Sequence, residues 1–206
     1  MKRATYTADL VGITTLTFGR MLQSERLNGE SADVHDKRCW KERCHALKDG
    51  RVIWPGIAFK LGLEQAAKMR MDKVPGKKSS TFTARFKTGV MVDPTAPPTV
   101  VYQLDGTKED AVTIEGITGR SIYVPSDGRR GGTTRVPRIF PEVDPKWVIH
   151  LSLMIVDADL IEHSDVITRT LETAGLQIGI GCNRPGTSGG DHGIFLVETP
   201  MFEVVE

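Results

Sequence analysis

Apolar and polar residues alternate strictly near the start of the chain. Tyr6, Ala8, Leu10, Leu16 and Phe18 share one parity, and Thr5, Thr7, Asp9, Thr15 and Thr17 share the other. A period of two predicts a half-buried strand over 4–18 with a threonine-rich solvated or ligand-facing side. Residues 19–53 are polar and charged without a clean period, and read as an insertion, partly helical around 34–47. From 56 to 71 the period lengthens. Lys60, Glu64 and Lys68 recur every four residues, while Ile57, Phe59, Leu61, Leu63, Ala66 and Ala67 cover the rest. That pattern predicts a mostly buried helix. Pro55 stands near its first position, where a missing N–H costs little, and Pro75-Gly76 marks a turn beyond it.

The middle of the chain is β-like over 81–92, 99–104 and 111–124, separated by proline- and glycine-rich connections, and 125–141 reads as a loop or hairpin tip. The clearest strand is 146–157, where Trp147, Ile149, Leu151, Leu153 and Ile155 alternate with Val148, His150, Ser152 and Met154. Ser164 is expected to cap a short helix that stops at Gly175 in a left-handed conformation. A glycine-rich loop over 175–193 and a last strand over 193–205 follow. Without the insertions the order is strand, helix, strand, strand, helix, strand. That predicts an α+β chain with a ferredoxin-like, RRM-like βαββαβ core in a single domain over 1–206.

Charge changes this picture. The net charge is only +1, but residues 139–206 carry −8 and residues 1–138 carry +9. Such asymmetry suggests a polyanion-facing side and an acidic side against which copies could stack head to tail. Three cysteines are too few for a disulfide framework and fit a reduced, cytoplasmic setting. No apolar signal core opens the sequence, and the longest apolar run, 147–156, is too short to span a bilayer. The expectation is a soluble protein with no membrane partner.

Four constellations bear on chemistry. Seven of the nineteen residues from Gly175 to Gly193 are glycine, including Gly181, Gly189 and Gly190. The loop follows a helix and precedes a strand, the reverse of a dinucleotide fingerprint, and no Gly-Lys-Ser/Thr ends it. It could instead pack on a sugar–phosphate backbone, with Arg184 supplying charge. Arg120, Arg129, Arg130, Arg135 and Arg138 form a basic hairpin suited to phosphates. Lys77 and Lys78 belong to a second basic run. In the insertion, His35, Cys39, Cys44 and His45 match no standard zinc spacing. The intervening Lys37, Arg38, Lys41 and Arg43 read as polyanion-binding, so no metal and no cofactor is expected. Catalysis has little support, since only Asp33, Asp36 and His192 stand where a base could act, and His150 reads as a satisfied sheet residue.

Two of these stretches resemble a known family. Val52-Ile-Trp-Pro-Gly56-Ile-Ala-Phe-Lys60-Leu-Gly-Leu63 resembles the hydrophobic-Pro-Gly-Ser-Ser-Leu-Lys-Gly segment that begins the first helix of the RAMP superfamily. These are the repeat-associated RNA-binding proteins of CRISPR systems. Gly179-Ile-Gly181 through Gly189-Gly190-Asp-His-Gly193-Ile-Phe195-Leu-Val197 resembles that superfamily's C-terminal glycine-rich loop and the strand after it. Ala58-Phe59 stands where the family has a small hydroxyl pair, while Lys60 is retained. The layout is similar to the backbone subunits that coat a guide RNA, with 120–141 as the thumb-like hairpin.

The resemblance implies a non-enzymatic subunit assembling head to tail on single-stranded guide RNA. Its partners would be copies of itself, other effector subunits and a target DNA or RNA. The glycine loop and Lys60 would grip the ribose–phosphate backbone. Two alternatives stand beside it: a guide-RNA-processing endoribonuclease using His192 or a carboxylate, and a phage single-stranded DNA-binding or annealing protein.

Overall fold

The structure is a computed structural model and describes residues 2–125 and 134–205. It is an α+β fold of antiparallel sheets. The first strand, β1 (Arg3–Gly12), buries Ala4, Tyr6, Ala8 and Leu10 on alternate positions. The predicted strand over 4–18 does not run on as one piece. Gly12 leaves β1 under the Trp147 ring, where an added Cβ would lie 2.0 Å from a ring carbon. The chain then turns, and β2 (Leu16–Thr17) belongs to a different sheet.

The insertion forms α1 (Ala32–Cys39), a 3₁₀ turn (Trp40–Arg43), and a two-stranded ribbon of β3 (His45–Ala46) and β4 (Val52–Ile53). It is less solvated than its composition implies, because Asp36, Cys39 and Cys44 are buried. The expected helix over 56–71 is α2 (Gly56–Arg70), ended by Met71 in the left-handed region. It is only partly buried, since Ile57 and Leu61, one turn apart, stay exposed.

The stretch 81–92 is a correction. Instead of a strand it forms α3 (Thr83–Gly89) followed by the short β5 (Val90–Val92). Phe82 and Phe86 are four apart and both buried, so a helical period puts them on one face where a period of two would gain no more. Next come β6 (Val101–Asp105), β7 (Lys108–Ala111), β8 (Thr118–Pro125), β9 (Arg135–Val143) and β10 (Trp147–Ile155). The predicted strand over 111–124 therefore splits at the turn around Gly116. Asp157 caps α4 (Ala158–Glu162) by accepting from the N–H groups of Asp159 and Leu160. Ser164, the expected cap of α5 (Asp165–Thr173), makes no side-chain capping bond. Gly175 does not stop that helix either. A π turn (Ala174–Ile178) carries the chain on to Gly179, and Gly175 is needed because an added Cβ would lie 2.4 Å from the Phe195 carbonyl. A one-turn helix, α6 (Pro185–Ser188), and the edge strand β11 (Phe195–Val205) complete the fold.

In the main sheet the order is β11-β1-β10-β6-β7, with β5 also on β10 and every neighbour antiparallel. β5 and β6 run in one direction along β10, interrupted by 93–100. Tyr6 bonds Thr168 of α5 through its hydroxyl, 3.0 Å, which places that helix over the face bearing Ala4, Ala8 and Leu10. A second sheet, β2-β9-β8, stands beside the first. Trp147 of β10 is fully buried, its ring against Phe195 of β11 and its indole N–H donated to the Thr14 carbonyl at 2.8 Å.

Candidate nucleic-acid interface

The Trp-Pro-Gly helix start and the glycine-rich loop, far apart in sequence, form the two walls of one groove of about 380 Å³. Pro55, Ile57, Ala58 and Leu61 make the helix wall, and Ile180, Gly181, Cys182 and Arg184 make the loop wall. Between them lie Phe18 and Trp54, their rings 5.3 Å apart and both buried. Gly19, Arg20, Arg43 and His45 complete the lining, in which no acidic residue appears among the described residues. The α2 start adds the partial positive charge of its unpaired N–H groups, with no acid in its first turn.

The positive field is felt by the groups it surrounds. His45 has its pKa lowered, first by burial and then by the Arg20 charge, so it is neutral at pH 7. Burial pushes the Cys182 thiol up, against the pull of Arg43 and Arg184 on either side. The indole N–H of Trp54 is buried without a hydrogen-bond partner among the described residues. Arg43 is held firmly: its guanidinium meets Asp36 at 2.5 Å, donates to the Ile139 carbonyl at 3.1 Å, and lies 4.9 Å over the Phe140 ring. Its charge is therefore largely balanced. Arg184 donates to the Gly179 carbonyl at 2.9 Å. Arg20 is exposed and is the rim cation that the sequence reading passed over.

The glycine loop is not slack. Cys182 and Gly193 donate their N–H groups to Thr17 and Thr15 carbonyls, at 2.9 and 2.8 Å, and Ile180 donates to Gly193. Gly181 and Gly190 press on neighbouring main chain, the Thr17 and Asn183 carbonyls respectively, whereas Gly189 has open space around it. Those N–H groups serve the fold, so the loop offers a ligand shape and Arg184 more than a cradle of free amides.

Other expected site residues fall elsewhere. Lys60 shares a helix face with Gly56, which packs on Val92, and does not line the groove. Arg38 is paired with Glu30 at 2.8 Å, and Lys41 donates to the Glu115 carbonyl, while Lys37 is exposed. Lys77 is tied to Asp159 at 2.7 Å and Lys78 is exposed. Both lie beyond the far end of α2, whose last residue, Arg70, is about 14 Å along the helix from the groove residue Leu61 at 1.5 Å per residue. In the hairpin, register puts Arg120 and Arg138 on one face and Arg135 on the other. Arg138 donates to the Ala32 carbonyl, and Arg129 and Arg130 lie outside the described residues.

The insertion's four candidate ligands diverge: His35 bonds the Ser24 carbonyl, Cys39 and Cys44 are buried, and His45 turns to the groove. Asp33 is exposed near Arg138, and Asp36 is spent on Arg43 and the Ile139 N–H. His192, the candidate base, is 8% exposed and hydrogen-bonded to Thr17 at 2.5 Å.

His150 sits on the face of the main sheet away from Tyr6, with Asp9 2.7 Å from one ring nitrogen and Glu109 2.9 Å from the other. Burial opposes its charge, but the hydrogen bonds to both carboxylates win and raise its pKa. A raised folded pKa means that this stabilisation is complete below the unfolded value and is lost as pH rises through the folded one. Between about pH 6 and about pH 9 the thermal midpoint of wild type should therefore fall more than that of His150→Gln. Parallel curves would show that the cluster contributes nothing.

No protein-family model matches the chain, and no curated protein matches it. Among solved structures it is similar to a chain of the type III-B Cmr-beta complex bound to cognate target RNA. There the identity is 12% and the TM-score 0.47, covering 98% of this chain and 61% of that one. It is also similar to a chain of a CRISPR RNA-guided surveillance complex, with 8% identity and a TM-score of 0.34, covering 96% of this chain and 66% of that one. The chain thus spans about three fifths to two thirds of the length of these neighbours. No described helix is long and apolar enough to cross a membrane.

Proposed function

We propose that the chain is an RNA-binding subunit of a CRISPR-type ribonucleoprotein, and that the groove between α2 and the glycine-rich loop holds single-stranded RNA. The observation that carries this reading is the groove itself. The two stretches that resemble the RAMP superfamily meet there, around a lining with three arginines, two buried aromatics and no acid. Apolar Ile57 and Leu61 on the wall suit bases, and Arg20 and Arg184 suit phosphates.

The order β11-β1-β10-β5, with α2 after β1 and α5 after β10, supports a ferredoxin-like core within one RAMP-like domain. In this reading β8 and β9 are the thumb, and copies stack head to tail in the cytoplasm along a guide RNA, alongside other effector subunits. The basic contacts are then Arg20, Arg184 and the exposed hairpin arginines Arg120 and Arg135. Lys60 grips no backbone in this arrangement. The burial of His192 lends the endoribonuclease alternative no support.

The test is anisotropy titration of a labelled single-stranded RNA, with DNA of equal length as competitor. For single strands the slope of log affinity on log salt is about −0.7 per phosphate neutralised, so a strand held by three of these four arginines gives about −2. Between about 50 and 300 mM salt, affinity should then fall roughly thirtyfold. A flat salt response would sink the reading. Preference for DNA would instead favour a single-stranded DNA-binding protein.

A further inference from the structure

A buried polar chain links the glycine-rich loop to the hairpin. Thr17 of β2 is fully buried, His192 is 8% exposed, and the Glu142 side chain of β9 is 10% exposed. The Thr17 hydroxyl donates to Glu142 Oε1 at 3.4 Å and lies 2.5 Å from His192 Nδ1. With the hydroxyl proton directed to the carboxylate, the His192 imidazole donates the second bond from Nδ1; the roles in that bond follow from the ring's tautomer. Its Nε2 lies 3.8 Å from Asp191, and Glu142 and Asp191 are the two carboxylates around the ring.

The main chain follows the same route. Thr17 of β2 and Thr15 just before it accept loop N–H groups from Cys182 and Gly193, while β2 pairs Leu16 with Val143 and Thr17 with Glu142 of β9. Arg43 of the groove lining is tied to β9 as well, because it and its partner Asp36 both bond Ile139.

We infer that His192, acting through Thr17 and Glu142, is a positioning residue that couples the loop wall of the groove to the base of the hairpin, so that the two move as one body. The RNA part of the test rests on the proposed function; the coupling itself does not. Hydrogen exchange of the RNA-free chain decides it first. Thr17→Val keeps the shape and removes the hydroxyl. It should speed exchange in 179–193 and in 139–143 together, whereas Thr17→Ser and Glu142→Gln, which keep a donor and an acceptor, should leave both near wild type. Loosening of the loop alone, or the same loosening in Thr17→Ser, would overturn the coupling.

With RNA added, the groove ligand should slow exchange at Glu142 and Val143, which pair with β2 beyond the partners of Arg120 and Arg135, in wild type, but only at 179–193 in Thr17→Val. Affinity in that variant should drop about tenfold, the size expected for losing a buried hydrogen-bonded pair. Protection of Glu142 and Val143 that persists in Thr17→Val would also overturn it. If wild type binds no RNA, the groove reading fails while the RNA-free comparison still decides the coupling.

Discussion

Gly193→Ala is expected to destabilise the chain by about 3–5 kcal/mol, the range of substitutions that force main chain apart. Gly193 has φ +67, and an added Cβ would fall 1.7 Å from the Ile180 carbonyl oxygen and 2.7 Å from its carbon. These are backbone atoms, so no side-chain rotation relieves the clash. Moving them breaks the bond from Ile180 N–H to the Gly193 carbonyl and the one from Gly193 N–H to Thr15. Each such loss costs about 1 kcal/mol or more, beyond the 1–2 kcal/mol of left-handed strain. Gly189→Ala is the matched control. Its φ is +71 but nothing lies within 4 Å of the added atom, so only the strain of about 1–2 kcal/mol should show. Urea unfolding of the two variants measures the difference. Equal losses would mean that the loop is not docked on β2.

The second large effect concerns binding. Arg20→Glu should weaken single-stranded RNA affinity about tenfold to hundredfold and reduce the salt slope by about one phosphate contact. Arg20 is exposed, and its main-chain N–H, not its side chain, bonds the Arg43 carbonyl, so the fold should be unaffected. Reversing its charge acts on a groove lining with no described acid to share the field. Lys60→Ala changes a charge on a different helix face, where solvent and salt screen it, and should alter affinity less than about twofold. A larger loss from Lys60→Ala than from Arg20→Glu would place the RNA on the Val92 side of α2 instead.

Local patterns carried much of this architecture. The alternation in β1 and β10 and the four-residue stripe of α2 are properties of consecutive residues, so period alone located them. The same logic misplaced α3, because Phe82 and Phe86 fit both a strand and a helix over so short a run. Ser164 and Gly175 illustrate another limit. Both carry the chemistry of a helix terminus, but Asp157 caps the preceding α4 and the Gly175 position is dictated by the Phe195 carbonyl. A residue type states what a position tolerates, and the neighbour decides why it is there.

The site divides in the same way. The Trp-Pro-Gly stretch and the glycine cluster were legible because proline and glycine leave backbone signatures. Cationic side chains leave none that distinguishes a ligand contact from an internal ion pair. Arg38, Arg43 and Lys77 are basic in sequence, but the first is paired with Glu30, the second with Asp36 and the third with Asp159. Arg20, with no motif around it, reaches the rim.

The sequence by itself determined the α+β class, the main strands and helices, and the two backbone segments that build the groove, because each depends on short-range period and conformational preference. Only the tertiary structure decided which cations are taken up in internal ion pairs, that Lys60 stays out of the groove lining, and that Thr17, His192 and Glu142 meet. Those outcomes depend on pairings between residues up to 175 positions apart, and no local pattern encodes them.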